Sequence, residues 1–175
     1  IDRPENRMEV AHILAGAAYV DAPLDVVKMS MAGTFQYTQS EEPRPLPDFN
    51  VFYRYAATFP WKSHAAWFIS QMIRWGQITQ PIDVMEAAGE IYRPDIYREA
   101  VKPLDIAVPT IDAKIEGAHA APWTLAEATG PIAMGPDRFF DGHVFDPAAP
   151  YAYLGDFAIG RWIGASAAQM SPTTS

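Results

Sequence analysis

The chain has 175 residues, 49% apolar and 19% charged, with a net charge of −8 and no cysteine. That composition fits a globular chain long enough for one substantial core. It excludes disulfides and thiol chemistry, and it offers neither a Lys/Arg cluster for nucleic acid or anionic membranes nor a run of about 18 apolar residues to span a bilayer.

Sixteen prolines, roughly twice the usual share, cut the chain into short helices joined by shaped loops. A first helix is predicted from a capping-box-like start, with Asp2 three residues ahead of Glu5 and Pro4 in the first turn. It would carry Met8, Ala11, Leu14 and Ala15 inward and stop at Gly16. Asp21-Ala22-Pro23 starts a second helix, with Val26, Val27 and Met31, that stops at Gly33. Residues 39–48 hold three prolines and several charges and read as a surface loop prone to local disorder. Residues 49–57 read as extended or irregular.

The most informative stretch is 59–78, FPWKSHAAWFISQMIRWGQI, which holds three of the five tryptophans. Its spacing predicts a helix over 63–75. One stripe is apolar, with Ala65, Phe68, Ile69, Met72 and Ile73 at the intervals of a buried face. Phe68, Ile69 and Met72 are expected inside, so truncating Phe68 would cost on the order of 3 kcal/mol. A second stripe, His64, Trp67, Gln71 and Arg74, mixes donors with a large aromatic and suits an anion-lined cleft or a contact between lobes. The plainer reading has the tryptophans anchoring the core and the polar groups capping the helix. Gly76 ends it.

Further along, 81–88 and 94–101 read as short helices, the first with Asp83 and Glu86 in its opening turns, the second broken by Pro103. The signal over 108–135 is poor. Residues 135–160 read as a loop-rich return with turns at Asp141-Gly142 and Asp146-Pro147.

Catalytic and metal motifs find little support. The histidines, His12, His64, His119 and His143, lack zinc-ligand spacing. Asp137, Asp141 and Asp146 miss the calcium-loop pattern, and capping and turn roles account for them. Ser63 and His64 are neighbours on one helix and point about 100° apart, so they form no nucleophile–base pair. Glu90, Glu99 and Glu116 show no pairing that would shift a pKa. The residues by themselves describe an acidic, helix-rich globular unit with one aromatic–polar helix.

A family resemblance goes further. The 59–78 stretch looks like the signature of the nitrate- and bicarbonate-type substrate-binding proteins of ABC transporters, and equally of the cytoplasmic nitrate/nitrite sensors related to them. RPENRMEVAHILA (3–15), DFNVFYRYAATFPW (48–61), IYRPDIYREA (91–100), KIEG (114–117) and GPDRFFDGHVFDP (135–147) resemble the same family in the same order.

The resemblance implies an α/β protein: a helix-rich C-terminal fragment of a type II periplasmic-binding-protein-like two-lobe fold. Residues 1–160 would be the C-terminal part of the substrate-binding domain and 161–175 a flexible tail. It implies binding of a small inorganic oxyanion, nitrate or nitrite first, in a cleft between lobes, with most donors ahead of residue 1. Lys62, His64, Gln71 and Arg74 are the candidate cleft or lobe-contact residues here. No enzyme activity, cofactor, metal, nucleic-acid contact or membrane insertion is expected. The expected partner is an ABC permease at a periplasmic location. In the sensor branch it would be an RNA-binding antiterminator in the cytoplasm.

Overall fold

The computed structural model describes residues 1–31 and 33–157. The expected tail over 161–175 lies outside the described residues. The chain divides into two compact units, Ile1–Thr58 and Phe59–Ser175, each described by itself below.

In the first unit a 3₁₀ turn, Pro4–Asn6, leads into helix α1, Arg7–Ala15, which packs against α2, Leu24–Met31, through Ala11, Val27 and Met31. Fully buried Ala11 has no side chain beyond Cβ to hold α2 away. Gly16 ends α1 as expected, but Met8 is exposed. Asp2 does not cap the helix. Its carboxylate instead accepts the successive N–H groups of Phe52, Tyr53 and Arg54 at 2.7, 2.8 and 2.7 Å. Three adjacent N–H groups form a concave donor set that suits an anion better than one helix end does.

Burial pushes the Asp2 carboxyl up, but the N–H groups of Arg54, Phe52 and Tyr53, with the Arg54 charge, outweigh it and hold the group below its ordinary value. A depressed folded-state pKa gives stability that is present above the ordinary aspartate range and lost as pH falls through the folded value. Asp2→Ala should therefore lower stability by about 1–3 kcal/mol at neutral pH, less in acid, read from urea midpoints. Equal midpoints for the two proteins at neutral pH would remove Asp2 from this role.

After α2 the chain forms a small antiparallel hairpin, β1 Thr34–Phe35 with β2 Arg44–Pro45, in the register Thr34↔Pro45 and Phe35↔Arg44. Part of the expected loop over 39–48 is thus a strand. Pro45 is tolerated because a two-stranded ladder is all edge. Phe35 holds Tyr37 and Phe49 at ring distances of 5.0 and 6.0 Å, contacts that the local proline and charge content does not reveal.

The second unit is built on α3, Lys62–Arg74, packed against α4, Val84–Ile91, and α6, Pro150–Gly155. Ala65, Ala66, Ile69 and Ile73 meet Val84, Ala88, Phe145, Tyr151, Tyr153 and Leu154. The expected helix is present, and Ala65, Ile69 and Ile73 of its expected apolar stripe are buried, but Phe68 and Met72 are not, at 55% and 42% exposed. The packed face carries Ala65, Ala66 and Ser70, whose small side chains admit a neighbouring helix. Counting apolar residues ranked Phe68 and Met72 above those small ones.

The cost of truncation follows the structure. Ile73→Ala should lose about 2–3 kcal/mol and Phe68→Ala less than about 1 kcal/mol in denaturant unfolding. The reverse order would restore the Phe68 face as the core.

Helix α4 starts where Asp83 accepts the N–H groups of Met85 and Glu86 at 3.0 and 2.9 Å, an N-cap. Helix α5, Pro94–Val101, runs on into a 3₁₀ turn, Lys102–Leu104, around Pro103. The poorly patterned region holds a hairpin, β3 Trp123–Leu125 with β4 Ile132–Met134. Three-residue strands are too short to show an alternation. Helix α6 was not anticipated within the loop-rich return. No described helix is long and apolar enough to cross a membrane.

Candidate functional site

The second unit brings three of its sequence motifs to one place. Trp61, Ser63 and His64 stand at the start of α3. The 114–117 segment reaches them through an isolated bridge in which Glu116 and Phe145 exchange backbone hydrogen bonds of 3.0 and 2.9 Å. Gly117 lies between, at φ +84°, and a Cβ there would stand 2.8 Å from the His143 carbonyl oxygen. The close approach of these two segments therefore needs glycine.

The side chains form a continuous polar chain. Glu116 is 5% exposed. Its Oε1 accepts from Ser63 Oγ at 2.6 Å and faces His64 Nε2 at 3.4 Å. Its Oε2 pairs with Lys114 Nζ, which also faces Asp137 Oδ2 at 3.5 Å. Ser63 Oγ accepts the Lys114 N–H at 3.2 Å. Asp137 then accepts the His119 N–H at 2.7 Å and faces His119 Nδ1 at 3.1 Å. The His119 ring stacks on Trp123, centroids 3.9 Å apart.

Burial pushes the Glu116 carboxyl up. The hydrogen bond from His64 and the Lys114 charge outweigh it and hold the group below its ordinary value. A cleft of about 260 Å³ opens beside this chain, lined by His64, Trp67, Phe68, Glu116, Asp137 and Phe139. A larger depression, about 510 Å³, lies in the first unit against the β1–β2 hairpin. Its one charged lining residue is Lys28, which faces Asp25 at 3.5 Å, so it holds less chemistry.

The four residues singled out in the sequence fall into three groups. His64 is the one that lines the cleft. Lys62 pairs with Asp112 at 2.8 Å, and Asp112 also takes Arg98 at 2.7 Å. Burial pushes the Asp112 carboxyl up, and those two cations bring it below its ordinary value. Gln71 is buried, donating to Ser70 Oγ and accepting from Arg74, each at 3.3 Å. The Arg74 guanidinium lies 3.9 Å from the centroid of Phe157. Trp67, on the same stripe, donates to the Tyr153 hydroxyl at 3.2 Å.

Two sequence readings need correction. Glu116, expected to be without a pairing that shifts its pKa, has Ser63, His64 and Lys114 around it. Asp137, assigned a capping or turn role, also faces Lys114 Nζ and the His119 ring. Lys114 was not singled out at all. One signal was present: Lys114 and Glu116 are two apart, and in extended chain such residues share a face. Asp141 and Asp146 do have turn roles, accepting the N–H groups of His143 and Ala148 at 3.1 and 2.9 Å.

No family model matches the chain. The nitrate/nitrite binding protein NrtA of Synechocystis sp. is 27% identical over 161 residues, which are 90% of this chain and 32% of that protein. The bicarbonate-binding protein CmpA of Synechococcus elongatus is 29% identical over 170 residues, 91% of this chain and 34% of that one. The nitrate import ATP-binding protein NrtC of Synechocystis sp. is 28% identical over 160 residues, 91% of this chain and 21% of that protein. The crystal structure of the periplasmic nitrate-binding protein NrtA from Synechocystis PCC 6803 superposes with a TM-score of 0.65 at 25% identity, over 89% of this chain and 36% of that one.

The architecture is therefore a helix-rich portion of a type II periplasmic-binding-protein-like fold. Within that class the chain is homologous to the nitrate/bicarbonate substrate-binding proteins and spans about a third of their length.

Proposed function

We propose that this chain is part of the solute-binding component of an ABC transporter for a small inorganic oxyanion, with nitrate or nitrite the first choice. One observation carries this. The match to proteins named for nitrate/nitrite and bicarbonate binding extends over about nine-tenths of the chain, and the fold agrees with a solved nitrate-binding protein. The stretch matched in a nitrate-import ATP-binding protein supports an import role, with an ABC permease as partner and a periplasmic setting.

The charge pattern favours a scaffold that completes a binding cleft over one that holds the ion unaided. Lys62, Arg98 and Lys114 are each compensated by carboxylates. A hydrated oxyanion gains little from a partial donor set, because each water it sheds must be replaced. His64 is then the candidate nearest to an open approach, and Lys62, Gln71 and Arg74 serve as cleft-wall or lobe-contact residues.

The test is thermal unfolding of a form extended to the length of its relatives, in nitrate, nitrite or bicarbonate against chloride at equal ionic strength. A ligand at a hundred times its Kd should add about 2.7 kcal/mol, a shift of several degrees. Identical melting in all four salts would contradict the reading.

A further inference from the structure

Arg7 is a buried charge whose donors the described residues of its unit leave largely unfilled. It opens α1 and is 6% exposed. Among the described residues its guanidinium makes one hydrogen bond, from Nη2 to the Pro47 carbonyl at 3.5 Å, the outer limit for such a bond. Its Nε–H is buried with no acceptor among the described residues. Arginine brings five N–H donors and stays charged at any ordinary pH.

Packing of the aliphatic stem does not explain this, because such arginines bury the stem and keep the head in water. Here Nε, in the head, is buried. Arg54 approaches the same carbonyl, donating from Nη2 at 2.8 Å, and gives Nη1 to Asp48 at 2.8 Å. Its Nε is also buried without a partner among the described residues. Two guanidinium groups thus converge on one oxygen, and among the described residues the ion pair to Asp48 belongs to Arg54 alone.

Gly33 makes the space. Its φ is +74°, and a Cβ on it would fall 2.1 Å from Arg7 Nη1. The left-handed glycine lets the guanidinium occupy a place that no other residue would leave open.

We infer that Arg7, with Arg54 beside it, forms a seat for an oxygen anion, a carboxylate or a small inorganic oxyanion, bound through the guanidinium N–H groups. The fork of a guanidinium matches two oxygens of one planar anion, and the anion would neutralise the second, uncompensated charge. The seat is built from residues of the Ile1–Thr58 unit and shares none with the histidine-lined cleft. It does not rest on the transport reading and stands or falls separately from it.

The experiment is an NMR titration of the arginine Nε–Hε signals of the 175-residue protein with acetate, nitrate, sulfate and chloride at constant ionic strength. Arg7→Lys and Arg54→Lys assign the two buried signals by their loss, and either variant suffices if the other fails to fold. The Arg7 signal is expected to move saturably with at least one oxyanion and not with chloride. Movement with acetate alone identifies a protein carboxylate as the natural occupant, and movement with nitrate or sulfate identifies a free ion. Gly33→Ala, which pushes the guanidinium aside, should weaken the affinity by about tenfold or more. An Arg7 signal that ignores every oxyanion, or follows chloride equally, would overturn the proposal, as would unchanged affinity in a folded Gly33→Ala protein.

Discussion

Glu116→Ala is expected to lose about 3–5 kcal/mol of folding stability, because it strands Lys114 in a site where both side chains are under a tenth exposed. Removing one member of a buried pair leaves the other stripped of water, with Asp137 at 3.5 Å as its remaining partner. Lys114→Ala should cost a similar amount. The double change to a well-packed apolar pair, Glu116→Leu with Lys114→Met, should cost much less than the sum of the singles, since it removes both desolvation penalties together. The sign of the pH dependence is fixed as well. The Glu116 carboxyl lies below its ordinary value in the folded protein. Its contribution is therefore full above the ordinary glutamate range and drains as pH falls through the folded value. Denaturant titrations of the four proteins at neutral and acid pH check both statements. Additive single and double losses would show that the pair is not coupled.

Gly117→Ala should cost about 3–5 kcal/mol, from two separate sources. A non-glycine residue at φ +84° is strained by about 1–3 kcal/mol. The new Cβ would also press to 2.8 Å on a backbone carbonyl, which cannot rotate away as a side chain could. Gly142 provides the control. It has φ +76°, but its nearest neighbour would be the Arg138 guanidinium at 3.7 Å, so Gly142→Ala should show the strain alone. If both variants melt together, the contact between the 114–117 segment and His143 is not the constraint. If only Gly117→Ala collapses, the convergence of the two segments is what that glycine secures.

How much of this was legible depended on how local the cause was. Helix α5 follows from proline acting within one turn and was readable; α4 was expected from 81 with Asp83 inside its opening turns, whereas it starts at Val84 with Asp83 as its N-cap. The buried face of α3 was readable only in part, through Ala65, Ile69 and Ile73. Its choice between Phe68 and Ala66 depends on how closely α4 and α6 approach, and apolar counting carries no information on clearance. Asp2 had a good local cap to offer, and three distant N–H groups outbid it. The charge chain through Glu116 joins residues more than fifty positions apart, Ser63 to Glu116 among them. Only the two-residue spacing of Lys114 and Glu116 hinted at it. Family resemblance identified the KIEG stretch without saying what it does. The geometry shows it supplying the buried pair and the glycine that lets Phe145 bond to it.

Isothermal calorimetry with nitrate, nitrite and bicarbonate, on the 175-residue chain and on a form extended to the length of its relatives, tests the oxyanion-binding function most directly. The extended form is expected to take up one of these ions stoichiometrically with a Kd on the order of micromolar, and the 175-residue chain at least about a hundredfold more weakly. Micromolar binding by the chain alone would move the site onto His64, Gln71 and Arg74. A folded extended form that takes up none of the three would contradict the function.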